Sequence, residues 1–88
     1  MTDMERDFLN DIKEAVNEFN PEYEEYHYNG YFNVDITVSL NIWEKFGEEI
    51  WNRLSEVGDD WGVTPDSDTN EYYMSVESDR EEDDDDDF

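Results

Sequence analysis

The 88-residue chain has no cysteine, two prolines, four glycines, one histidine and only five lysines and arginines. Without thiols there is no disulfide framework and no thiolate metal site, so the fold must rest on packing, and the redox compartment is left open. A chain this short buries only about 60–65% of its unfolded surface, which leaves a small stability margin and no room for an enclosed active site with a lid. The opening MTDMERDFLNDI has no basic region followed by an apolar run, and nothing approaches the length of a bilayer span. The sequence therefore reads as intracellular, soluble and free of membrane contact. Catalytic sets are thin as well. His27 lies among tyrosines on an expected strand, where a surface or stacking role outweighs general-base chemistry, and there is no glycine-rich phosphate loop. No stretch builds the apolar cleft that a neutral catalytic carboxyl group needs. The reading is of a protein that is not an enzyme and carries no cofactor.

What is abundant is negative charge. Twenty-eight Asp and Glu residues against five Lys and Arg give a net −23. Segments 1–20, 21–40, 41–60 and 61–78 each carry −4, and 79–88 carries −7, so the body is acidic independently of its end. Such a chain avoids nucleic acid and anionic membranes and attracts basic partners, with association steered by its field and weakened by salt. An aromatic content of 16% nevertheless argues for a packed domain, because acidic disordered chains are poor in aromatics.

The clearest element is Tyr31 to Leu40, where Phe32, Val34, Ile36, Val38 and Leu40 alternate with polar residues, the period of two of a central strand with one buried face. Asn29-Gly30 before it is a turn signal, and Tyr23 to Tyr28 completes a hairpin. A two-residue turn would set Glu25 opposite Val34. A three-residue loop Tyr28-Asn29-Gly30 would set Tyr26 opposite Phe32, and this second register is preferred, placing Tyr23, Glu25 and Asp35 on the solvent face. Upstream, Thr2-Asp3-Met4-Glu5 fits a capping box opening a helix from about Asp3 to Phe19, with Met4, Phe8, Ile12, Ala15, Val16 and Phe19 on one side, Leu9 at the edge, and Asn20-Pro21 as its end. Asn41 is the expected cap of a second helix ending at Val57, with Gly58 as its stop, a buried stripe of Trp43, Phe46, Ile50, Leu54 and Val57, and i,i+4 pairs Lys45–Glu49 and Glu49–Arg53. Asp59 to Thr69 reads as loop, with Trp61 folding back onto the core. Asn70 to Ser78 alternates again as a third strand. The expectation is an α+β domain over 1–78 in the order α-β-β-α-β, two helices on one face of a small three-stranded antiparallel sheet, followed by a disordered acidic tail over 79–88.

Three constellations stand out. Asp66-x-Asp68-x-Asn70 with Glu77 has the spacing of calcium-loop positions, but Glu71 occupies the place that needs glycine and the following residues alternate as a strand, so no metal site is expected. On the first helix Asp3, Asp7, Asp11, Glu14 and Glu18 fall within a sector of about 80°, at steps of about 5–6 Å, with no basic residue interrupting. Solvated helix faces normally mix signs, and such a ladder can present the charge pattern of a nucleic-acid backbone. The tail REEDDDDDF ends in Phe88 behind Asp83 to Asp87. It resembles the acidic tip ending in Phe of bacterial and phage single-stranded-DNA-binding proteins, which docks into basic clefts, although the usual proline before the Phe is missing.

In size, in charge spread over the body, in the ladder from Asp3 to Glu18 and in lacking a catalytic set, the whole chain resembles in kind the small acidic DNA-mimic proteins that phages direct against restriction enzymes, DNA-repair glycosylases and CRISPR effectors. The resemblance implies an inhibitor, monomeric or homodimeric, in the cytoplasm (of the host cell if phage-encoded), that fills the nucleic-acid site of a basic protein. The residues that would make the contact are Asp3, Asp7, Asp11, Glu14, Glu18, Glu22, Glu24, Glu25, Asp35, Trp51 and Phe88, with Tyr23, Tyr26 or Tyr28 as further apolar anchors. An immunity protein against a basic nuclease toxin, a halophile's acid-rich surface and an acidic histone-chaperone module use the same composition.

Overall fold

The computed structural model describes residues 2–77. Helix α1 (Asp3–Val16) runs on through a 3₁₀ turn, Asn17–Phe19, into strand β1 (Glu22–Tyr28) and strand β2 (Tyr31–Thr37). Helix α2 (Leu40–Trp61), strand β3 (Asp66–Asp68) and strand β4 (Glu71–Glu77) follow. The class is α+β, with one antiparallel sheet in the order β1-β2-β4-β3. It has four strands where three were expected. The extra strand, β3, has no apolar alternation of its own. It exists because Thr69-Asn70 turns the chain back and Asp66, Ser67 and Asp68 pair with Tyr73, Tyr72 and Glu71. The Tail 79–88 and Phe88 lie outside the described residues.

Local chemistry sets the element ends. The capping box forms as its spacing predicts. Thr2 Oγ1 accepts from the Glu5 amide at 3.1 Å, and a Glu5 carboxylate oxygen accepts from the Thr2 amide at 3.1 Å. Helix α2 begins earlier and ends later than its sequence signals suggest. Ser39, not Asn41, caps it, accepting from the Ile42 amide at 3.3 Å, so Leu40 leaves the strand pattern and stands 56% exposed in the first turn. Gly58 is not the stop. It is a buried helical position, and Gly62, at φ 73°, ends the helix in the left-handed conformation that favours glycine. Gly58 is needed for a different reason, since a Cβ there would lie 2.4 Å from the Val63 carbonyl oxygen.

Both helices cover one face of the sheet. Phe8, Leu9, Ile12, Val16 and Phe19 pack with Ile50, Leu54 and Val57 over Phe32, Val34, Ile36, Val38, Tyr72, Met74 and Val76. Trp61 closes one end, edge-on to Phe8 with ring centroids 5.2 Å apart. Tyr72 is 1% exposed and remains satisfied because its hydroxyl donates to the Gly47 carbonyl of α2 at 2.9 Å. Asn70 fastens β2 to the β3–β4 turn, donating to the Val38 carbonyl at 2.6 Å while its own carbonyl accepts from the Val38 amide at 3.1 Å. Among the described residues no helix is long and apolar enough to cross a membrane.

Because Gly58 meets backbone rather than a mobile side chain, Gly58→Ala should destabilise by about 1–2 kcal/mol, overpacking of about 2–3 less the helix-propensity gain of about 1. A urea titration checks it. An unchanged or raised midpoint would show that the Val63 carbonyl yields freely.

Candidate functional site

The position of every side chain on β1 follows from one turn. Asn29 and Gly30 have φ of 55° and 81°, so the hairpin closes in two residues, with Tyr28 opposite Tyr31 and Glu25 opposite Val34. Positive φ at both turn positions gives a twist that matches the flanking strands. This corrects the three-residue loop, and a one-residue change of register exchanges the faces. Tyr23 and Glu25 therefore stand on the helix side, opposite Ile36 and Val34, rather than on the solvent face. His27 is on the helix side too, 5.3 Å from Phe32 between centroids, and its Nε2 lies 2.9 Å from an oxygen of the buried Glu5 carboxylate. Glu5 thus joins the start of α1 to the end of β1, a role beyond capping that only the tertiary fold reveals.

Among the described residues the opposite face of the sheet carries no helix, and its rows can be read from the pairing. Glu22, Thr37, Glu71 and Asp68 form one row, and Glu24, Asp35, Tyr73 and Asp66 the next. Tyr26, Asn33 and Ser75 follow, then Tyr28, Tyr31 and Glu77. The face holds seven carboxylates, Glu22, Glu24, Asp35, Asp66, Asp68, Glu71 and Glu77, and four tyrosines, Tyr26, Tyr28, Tyr31 and Tyr73. Among the described residues it holds no lysine, arginine or histidine. The described cations Arg6, Lys13, Lys45 and Arg53 all belong to the helices.

Hydrogen bonds brace the centre of this face. The two Glu71 oxygens accept from the Tyr73 hydroxyl at 2.9 Å and the Thr37 hydroxyl at 3.4 Å, and Ser75 donates to the Asn33 side-chain oxygen. Holding a proton toward Glu71 pushes the Tyr73 phenol up to about 12. Asp35 is the strained member. Burial, then the facing charges of Glu24 and Glu71, raise its pKa, while the neighbouring Tyr26 hydroxyl pulls the other way. One of its oxygens, Oδ1, is buried without a hydrogen-bond partner. Burial and the same acidic surroundings, Asp35 and Glu24, push Tyr26 up.

The α1 ladder is less open than its spacing suggests. Arg6 pairs with Asp3 at 2.9 Å, the Trp61 indole donates to Asp11 at 2.8 Å, and Arg53 reaches Glu18 at 3.1 Å. The ladder is therefore ion-paired at Asp3 and Glu18 and hydrogen-bonded but still charged at Asp11, and of its members only Asp7 and Glu14 stand without an ion pair or hydrogen bond among the described side chains. Arg53 also donates to the Ala15 carbonyl at 3.0 Å and to Glu49 at 2.6 Å, the second being an i,i+4 pair expected from sequence, and its hydrogen bonds to Glu18 and then Glu49 raise its pKa. Between the helices, Asp11, Glu14, Glu56 and Asp60 surround Arg53 in an open groove of about 440 Å³.

Of the residues singled out from sequence, Glu22, Glu24 and Asp35 are brought together on the open face, Asp3 to Glu18 line α1, Glu25 lies on the helix side of the edge strand, and Trp51 is half-buried against the core. Asp66, Asp68, Glu71, Tyr73 and Glu77 were missed. Glu71, Tyr73 and Glu77 share one parity of an evident strand, a signal that only the strand order turns into a surface. Asp66 faces Tyr73 while Glu77 faces Tyr31, so the calcium-like spacing does not converge. Among the described residues no group of three His, Cys, Asp or Glu side chains could hold a metal ion. No protein-family model matches the chain, and no curated protein matches its sequence.

A carboxyl group whose pKa is raised by folding costs stability once ionised, so Asp35 should make the fold gain stability as pH falls through its folded pKa, with no further gain below its ordinary 3.8. Asp35→Asn should raise the urea midpoint at neutral pH and flatten its rise on mild acidification. A midpoint lowered at pH 7 would show that the charge is stabilising instead.

Proposed function

We propose that this chain is an acidic DNA-mimic inhibitor that occupies the basic nucleic-acid-binding site of a host defence or DNA-processing protein, such as a restriction enzyme, CRISPR effector, nuclease or repair enzyme, and excludes DNA by competition. Its place of action would be the cytoplasm, that of the host cell if it is phage-encoded. The observation that carries this reading is the sheet face that, among the described residues, bears seven carboxylates, no helix and no cation. A seven-residue strand rising about 3.3 Å per residue spans about 20 Å, so the face presents roughly one negative charge per 3 Å of its length. One strand of duplex DNA presents one per about 3.4 Å of axis. A protein gripping one side of a duplex would meet a similar linear charge density here.

The cost of the arrangement also favours function over solvation. Like charges directly opposite one another in a sheet are destabilising, and here Glu24 faces Asp35 and Asp68 faces Glu71. A surface serving only solubility would intersperse signs. Carboxylates on paired strands keep their spacing without a partner, so lysine and arginine that normally hold phosphates can pair with them at little ordering cost. Glu22, Glu24, Asp35, Asp66, Asp68, Glu71 and Glu77 supply these contacts, and Asp7 and Glu14 of α1 extend the field.

The test is competition for labelled duplex on a panel of basic DNA enzymes that includes a CRISPR nuclease, a restriction enzyme and a repair glycosylase. The wild-type chain should displace DNA from at least one. At about 1.5 kcal/mol per hydrogen-bonded charged contact, Glu24→Lys with Asp66→Lys should weaken displacement about a hundredfold, and Asp7→Lys with Glu14→Lys should do less. Failure to displace DNA from any of them, or equal potency of the sheet variant, would count against mimicry by this face.

A further inference from the structure

At the hairpin end of the open face the surface changes from acid to aromatic. Tyr28 and Tyr31 are a directly opposed cross-strand pair, and Tyr26 is the diagonal neighbour of Tyr31 on the same face. Side chains in such positions lie within about 5 to 8 Å of one another. Their exposures, 41% for Tyr26, 67% for Tyr28 and 47% for Tyr31, are high for residues of this size. Neither Tyr28 nor Tyr31 makes a ring contact with another described aromatic. Glu77 shares their row, opposite Tyr31, and Glu24 with Asp35 lies two rows away.

Elsewhere the chain covers aromatic rings with its own cations. The Lys13 ammonium sits over Tyr23 at 5.4 Å from the centroid, and the Arg53 guanidinium over Phe19 at 5.0 Å. Both are on the helix side, where all the described cations reside. The open-face tyrosines also present aromatic rings beside carboxylates, and among the described residues no cation lies over them.

We propose that the tyrosine corner Tyr26, Tyr28 and Tyr31, with Glu77 beside it, is a seat for an arginine side chain of a protein partner. The proposal rests on the reading of the open face as a surface for a basic protein, and names the group that anchors there. A planar guanidinium stacks on an aromatic face while its edge forks to a carboxylate, and it sheds water more readily than an ammonium. Phosphate mimicry alone accepts lysine and arginine alike. The corner adds a preference between them, and contact that salt screens poorly.

The probes are two capped peptides of equal length and charge, one alternating arginine with glycine and the other lysine with glycine, titrated into the ¹⁵N-labelled full chain at physiological ionic strength. The arginine peptide should bind about five- to tenfold more tightly, with the largest amide shifts at residues 26–31. Tyr28→Ala with Tyr31→Ala should abolish the preference and leave lysine-peptide binding unchanged, while Tyr28→Phe with Tyr31→Phe retains the preference, since the ring face carries it. Equal binding of both peptides by the parent, or a preference that survives the alanine pair, would overturn the proposal. The two ideas fail separately. Loss of the corner's preference leaves DNA displacement by the carboxylates intact, whereas a chain that displaces no DNA can still discriminate the two peptides.

Discussion

The two-residue turn at Asn29-Gly30 decides what this protein shows to the outside. Its two positive φ angles hold β1 one residue out of step with the longer-loop alternative, and because side chains alternate across a sheet, that step assigns each glutamate of β1 to a face. With the turn closed in two residues, Glu22 and Glu24 join Asp35 and the acids of β3 and β4. In the other register Glu25 alone would join them, Tyr26 would turn toward the helices and Tyr28 would be taken into the loop. The charge density and the aromatic corner both descend from this parity.

The fold tolerates the imbalance by separating its charges. The described lysines and arginines all lie in the helix layer, where four cations offset part of the charge of twelve acids. Arg6 holds Asp3, Arg53 binds Glu18, Glu49 and the Ala15 carbonyl, Lys13 lies over Tyr23, and the Trp61 indole meets Asp11. Arg53 in particular ties α2 to the end of α1. The sheet's outer face receives no such help, and Asp35 registers the consequence in a raised pKa and a buried, unpartnered oxygen. The domain leaves like charges opposed on one face of the sheet and places its described cations on the other, which is what the proposed contact with a basic partner requires.

Short-range patterns carried much of the architecture. The alternation of Phe32 to Val38, the Thr2–Glu5 box and the apolar stripe of α1 each act within a few residues, so periodicity was enough to place β2 and both helices on one side of it. What periodicity could not reach was set by distant partners. Strand β3 is three polar residues that become a strand only by pairing with β4. Gly58 resembles a helix stop until the Val63 carbonyl packs on it, and the ladder on α1 looks uncompensated until Arg53 and Trp61 arrive from α2. Of the candidate site, Asp35 was placed on the open face from sequence, while Glu22 and Glu24 were singled out as contacts but reach that face only in the two-residue register. Asp66, Asp68, Glu71 and Glu77 needed the strand order, which local signals do not encode.

The central claim is that the helix-free sheet face, rather than the α1 ladder, is the contact surface. The most direct measurement is amide shift and line-broadening mapping of the ¹⁵N-labelled chain bound to a basic enzyme from which it displaces duplex DNA. The account predicts perturbation concentrated on residues 22–37, 66–68 and 71–77, with the exposed flank of α1 little changed. Perturbation confined to residues 3–18, with the strands unaffected, would contradict it.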